Sequence, residues 1–207
     1  VYHDLGGLGL MNNAQTTEWV RKAWDQWNNV PTSRFKAQVI GDVTMLPGIT
    51  GDITPANVSQ VYPKFNGGGI TVVYDYDGKI FRDYLGLGQN QVLGIAYMEF
   101  FDDDTDEILE ATVFINGFMQ WFNDADGAGM SGVFTHEFGH AANLVHSQAN
   151  GAVFNNQVRD YPWPYGCATG PYAGGEASGP SVQQIETMYP FLDNRITGTS
   201  RHQFTVD

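Results

Sequence analysis

The run His136-Glu137-Phe138-Gly139-His140-Ala141-Ala142-Asn143-Leu144-Val145-His146 constrains this chain more than any other feature. On a helix, His136 and His140 stand one turn apart on the same face, separated by roughly 6 Å along the axis. Two imidazoles so placed can take one metal ion, and Glu137 between them can lean toward the same point. His146 comes six residues after His140, too far round and too far along to join them on a continuous helix. The spacing therefore predicts a helix that breaks between the two. Asn143 suits the break, because Asn tolerates the left-handed conformation that ends helices.

The ligand set narrows the metal. Three neutral imidazoles with an open fourth position describe a catalytic zinc site, whereas a structural site would be closed by four protein ligands. Calcium and magnesium want oxygen ligands. Copper, cobalt or nickel would accept the same nitrogens, so the assignment to zinc rests partly on availability. Water in the open position would be acidified toward a pKa of ~7. Glu137, adjacent to a ligand without being one, has the place of a general base. The expected chemistry is hydrolysis by that activated water. The alternative is a catalytically silent binding or adhesion module that keeps the metal, against which the presence of Glu137 argues.

The run resembles the metzincin signature H-E-x-x-H-x-x-G-x-x-H, with Asn143 standing where the family has glycine. Thr187-Met188-Tyr189-Pro190 is similar to the Met-turn of that family, and the resemblance implies that Met188 forms a hydrophobic floor beneath the metal. The M-Y-P sequence looks most like the matrixins. Astacin-like and serralysin-like enzymes carry a zinc-binding Tyr two positions after the Met; here that position is Pro190, so Tyr189 is not expected as a ligand. Tyr189 and Pro190 are implied instead to wall the pocket for the side chain just past the cut.

Ala23 to Pro31 resembles the first matrixin helix and its exit, while Gly94-Ile95-Ala96-Tyr97 and Ala111 to Asn116 resemble the strands before the zinc helix. The histidines that hold a second, structural zinc in vertebrate matrixins have no counterpart, since only His3 and His202 remain, at opposite ends. The resemblance implies a divergent, bacterial-type matrixin-like zinc endopeptidase, secreted and monomeric, acting on polypeptides. The implied fold is α+β: a twisted, mostly parallel sheet of four or five strands, a backing helix, a zinc-binding helix and a small irregular C-terminal lobe. Residues 1–146 would form the upper lobe and 147–207 the lower lobe of one catalytic domain. Both ends read as cuts, as in an excerpt of a longer precursor.

Composition agrees with a packed globule: 42% of residues are hydrophobic and 14% aromatic, with 25 glycines for turns. A net charge of −13, from 10 basic against 23 acidic side chains with no basic stripe, argues against nucleic acid or anionic membranes as partners. No apolar run approaches the ~20 residues needed to span a bilayer. Cys167 is single and cannot form an internal disulfide; it reads as a loop thiol.

Along the chain, Thr16 or Thr17 is expected to cap a first helix running to about Asn28, with Val20, Ala23, Trp24 and Trp27 as its buried stripe. A strand is expected over 34–40, a long excursion over 41–69, and a strand over Ile70 to Tyr74. Asp77-Gly78 predicts a hairpin turn into Lys79-Ile80-Phe81. Strands over 92–100 and 108–116 complete the sheet, and Glu110 to Asn116 is the expected edge for pairing with substrate. The zinc helix is expected from Ser131, as N-cap, to Ala142, and a short helix over 181–187. Asn57-Val58-Ser59 is a formal glycosylation sequon. Calcium is a further candidate, which the resemblance favours. The cluster of Asp102, Asp103, Asp104, Asp106 and Glu107 reads first as a solvated hairpin tip, and Asp75, Asp77 and Asp83, or Asp124 and Asp126, are the other acidic groups.

Overall fold

Period-two alternation along two strands decides the layering. In β3 (Gly69–Asp75), Val72 and Tyr74 face one core and Val73 the other. In β5 (Ile108–Asn116), Ala111, Val113 and Ile115 share the first face while Phe114 takes the second. A strand buried on both faces reads as a nearly continuous apolar run, which is what β5 is. The computed structural model describes residues 1–105, 107–118, 130–144 and 187–188.

Five strands form one sheet in the order β2-β1-β3-β5-β4. β1 (Tyr2–His3), β2 (Gly41–Asp42), β3 and β5 run parallel, and β4 (Gly94–Phe101) pairs antiparallel with β5. The mixed α/β architecture and mostly parallel five-stranded sheet agree with the coarse expectation. The edge does not. β5 lies between β3 and β4, so its backbone is engaged on both sides and Glu110 to Asn116 is not available to a peptide. Among the described residues β4 is the edge on this side.

Two helices cover one face. α1 (Asn13–Asn28) is capped by Asn12 rather than by Thr16 or Thr17. The Asn12 side chain accepts from Gln15 N at 3.0 Å while the Gln15 side chain accepts from Asn12 N at 3.0 Å, a reciprocal box that satisfies two end groups. Thr16 and Thr17 are buried inside the helix instead, and the Thr17 hydroxyl meets the Tyr74 hydroxyl at 3.3 Å. Val20, Ala23 and Trp24 are buried as the periodicity requires, with Trp27 half-buried. α2 (Ser131–Ala141) is buried along almost its whole length. Met130, not Ser131, occupies the cap position, and Ser131 is the first helical residue. Trp24 stacks on Phe138 with ring centroids 4.2 Å apart, joining the helices.

The excursion covers the other face. Val43, Leu46, Ile49, Ile53, Val58 and Val61 pack with Ile80, Phe81 and Phe114 into a second core. Its return is tied down by Glu110, whose buried carboxylate accepts from Asn66 N at 2.8 Å and Gly68 N at 2.9 Å. Charge-assisted bonds from backbone N–H groups make this burial of a carboxylate tolerable. Within the excursion, Asn57 uses its Nδ2 to donate to Asp52 O at 2.9 Å, so the sequon's acceptor atom is engaged in holding a turn.

Two expected strands are absent. Residues 34–40 form no strand: Asn28 pairs with Ala37 from its side chain, Nδ2 donating to Ala37 O and Oδ1 accepting from Ala37 N, both at 2.7 Å, and Gln38 O and Ile40 N bond to Val1. No hairpin follows Asp77-Gly78 either. The buried Asp75 carboxylate accepts from Phe81 N at 2.9 Å and draws residues 80–84 into a short π-helical turn. The acidic tip between β4 and β5 closes on itself, with Asp102 Oδ1 accepting from Asp104 N and Thr105 N. Asp77 and Asp83 pair with Lys79 and Arg82 respectively. Among the described residues no helix is long and apolar enough to cross a membrane.

Candidate metal centre

α2 brings His136 and His140 together as the spacing predicts, with ring centroids 4.8 Å apart and planes at 89°. The more informative geometry is behind the rings. His136 Nδ1 lies 2.7 Å from the carbonyl oxygen of Thr187, and His140 Nδ1 lies 2.7 Å from that of Leu144. A carbonyl oxygen can only accept, so each Nδ1 must carry the proton and donate. That assigns the tautomer and leaves Nε2 as the lone-pair nitrogen on both rings, the state a metal requires. Burial also lowers the pKa of His140, against the raising effect of its bond to Leu144. The neutral, ligand-ready form is therefore favoured.

The helix ends at Ala141, before His146. Asn143 has φ 68°, the one non-glycine residue with positive φ among the described residues. Around it Leu144 N donates to Gly139 O at 2.9 Å and Asn143 N donates to His140 O at 2.9 Å. This is the Schellman arrangement, which satisfies carbonyls that the helix end would otherwise leave open. The same turn delivers the Leu144 carbonyl to His140. Chain reversal and ligand orientation are thus one device.

Glu137 is buried, 6% exposed, between α2 and the start of β4. Met188 is 8% exposed and lies under α2 at Gly139. A Cβ on Gly139 would stand 2.3 Å from Met188 Sδ and 2.8 Å from Trp27 Cζ2, so only glycine lets the methionine approach this closely. Trp27 Nε1 also donates to Thr135 O at 2.9 Å, bracing the residue before His136 from α1.

His136 and His140 could hold a metal through Nε2, with the buried Glu137 carboxylate adjacent. His146, the expected third ligand, lies outside the described residues, as do Tyr189, Pro190, Cys167, Asp106, Asp124, Asp126, residues 181–186 of the expected helix over 181–187 and nearly all of the expected lower lobe. Among the described residues no group of three or more His, Cys, Asp or Glu side chains is placed to hold a metal. That statement covers the candidate calcium positions at Asp75, Asp77 and Asp83, whose carboxylates are engaged as described above.

The sequence motifs contain Gly94, Gly139, Thr187 and Leu144 but assign them no role of their own. Two of these carry a readable signal. A glycine inside a helix or strand pattern is unfavourable unless something approaches the backbone closely. Thr187 and Leu144 act through backbone carbonyls, which no side-chain pattern encodes. No family model, no curated protein and no solved structure matches this chain.

Proposed function

We propose that this chain is a zinc-dependent endopeptidase of the metzincin kind, matrixin-like in its Met188-Tyr189-Pro190 segment. The observation that carries the reading is the pair of Nδ1-to-carbonyl bonds, 2.7 Å each, that put the ring proton on Nδ1 in both histidines flanking a buried glutamate. Two histidines serving only as core residues have no need of matched tautomers. A silent module has no need of the carboxylate.

His136 and His140 would hold the metal through Nε2, with His146 as the third ligand. Zinc when bound supplies Lewis acidity and a water acidified toward a pKa of ~7. Glu137 would take the proton of that water at its carboxylate and return it to the leaving amine, so that the amine departs neutral. Met188, beneath Gly139, would support the helix from below. β4 has one hydrogen-bonded neighbour, β5, among the described residues. Its outer edge is where an extended peptide would add by backbone pairing. β4 begins at Gly94, against Glu137, so that edge leads to the general base. Calcium stays a further candidate ligand of the acidic clusters, and secretion follows from the resemblance.

The test is incubation of the zinc-loaded chain and its Glu137→Ala variant with denatured protein, each with and without chelator. Fragments are expected only from the wild type with metal, while the variant binds an equal amount of zinc. Zinc-loaded wild type that cuts nothing would establish the silent module.

A further inference from the structure

Gly94 opens the edge strand β4, and its backbone gives no reason for glycine. It is not among the residues with positive φ, so an L side chain is conformationally allowed there. Glycine in a strand weakens it unless another group comes close. The close group is Glu137. A Cβ on Gly94 would stand 2.6 Å from Glu137 Cγ, 2.9 Å from Cδ and 2.9 Å from Oε1. No packed carbon tolerates such separations without movement.

We propose that Gly94 is a positioning residue for the general base: its missing side chain leaves the notch in which the Glu137 side chain is held. The inference rests on the protease reading of the site. The physical reason is the way the clash would resolve. Glu137 is on α2, where helix geometry leaves two of the three χ1 wells open. The Cγ atom, nearest to the notch, cannot slide by a few tenths of an ångström within one well and clear a contact of 2.6 Å. It must change rotamer, which swings the carboxylate rather than nudging it. Displacement of a reacting group by about 1 Å is enough to cost roughly 100-fold in rate. His136 is held by the carbonyl of Thr187 and His140 by that of Leu144 in the turn ending α2, and the three atoms nearest the notch all belong to Glu137. Metal binding and base placement are therefore separable.

The test uses Gly94→Ala and Gly94→Val in the full zinc-loaded chain, beside wild type and Glu137→Gln. Zinc content and melting temperature are measured first, then kcat and KM on a peptide that the wild type cleaves, and crystal structures of each variant. The expected result is unchanged zinc content and a kcat lower by about 10- to 100-fold in Gly94→Ala and lower again in Gly94→Val. KM should stay near wild type, the Glu137 carboxylate should be displaced, and Gly94→Ala should add nothing in the Glu137→Gln background. Wild-type kcat in both variants, or a lowered kcat with Glu137 unmoved, would overturn the proposal. Should the wild type cleave no peptide, the protease reading fails. The positioning claim is then decided by whether the carboxylate has moved in the Gly94→Ala coordinates.

Discussion

Replacing Asn143 by Val tests the link between the end of α2 and the metal centre. At φ 68° a β-branched residue meets its own carbonyl oxygen, whereas Asn adopts this region readily. The cost of holding Val there is about 1–3 kcal/mol. If the turn opens instead, two backbone bonds around residues 139–144 are lost together with the Leu144 carbonyl that fixes His140 Nδ1. The ring is then free to present either nitrogen, and loss of such an outer-shell partner weakens metal affinity by about 10- to 100-fold. Asn143→Gly should keep the turn, since glycine enters the left-handed region without strain. Zinc affinity by chelator competition and thermal melting of the metal-free protein read the two effects separately. Asn143→Val should lose in both, and Asn143→Gly should stay near wild type in affinity. Equal zinc affinity in the Val and Gly variants would refute the claim that the turn orients His140.

Other substitutions probe different parts of the same design. Gly139→Ala drives a methyl into Met188 Sδ and Trp27; overpacking of this kind costs about 1–3 kcal/mol, visible as a lowered melting temperature, and an unchanged melt would mean that Met188 moves away freely. His146→Ala should lower zinc content sharply through loss of a ligand, and equal metal in mutant and wild type would remove His146 from the site. Glu99 offers a pH test. Burial, with Glu110 nearby, raises its pKa from 4.5 to about 7. The folded chain then holds this proton up to about pH 7 while the unfolded chain releases it near 4.5. Between those values the folded state binds more protons, so stability from this group is fully present below about 4.5 and declines as pH rises through about 7. Asp4, pushed up to about 8 by burial, adds a decline of the same sign. Glu99→Gln should therefore flatten part of the fall in melting temperature between pH 4.5 and 7, and identical slopes in the two proteins would contradict the assignment.

Features set by neighbouring residues are legible in the sequence. The one-turn spacing of His136 and His140, the left-handed residue at 143, the buried stripe of α1 and the alternation in β3 and β5 all follow from periods of 3.6 and 2 within short windows. The structure departs from those local patterns where a side chain supplies a bond that the backbone or another residue was expected to make. Asn28 pairs with Ala37 in place of a strand, Asp75 captures Phe81 N–H in place of a hairpin, and Asn12 caps α1 ahead of both threonines.

The chain alone determined that two imidazoles share a face with a carboxylate between them, because that depends only on helical rise and spacing. Tertiary structure decided the rest of the centre. The carbonyl of Thr187 reaches His136 across 51 residues of sequence, and Gly94 and Gly139 matter only for what packs on them. Which strand forms the edge was likewise settled by the sheet as a whole: β5 pairs with both β3 and β4, and no local pattern distinguishes a central strand from its neighbour when both are apolar. Backbone partners and close approaches are properties of pairs of distant segments, and a sequence window contains one member of each pair.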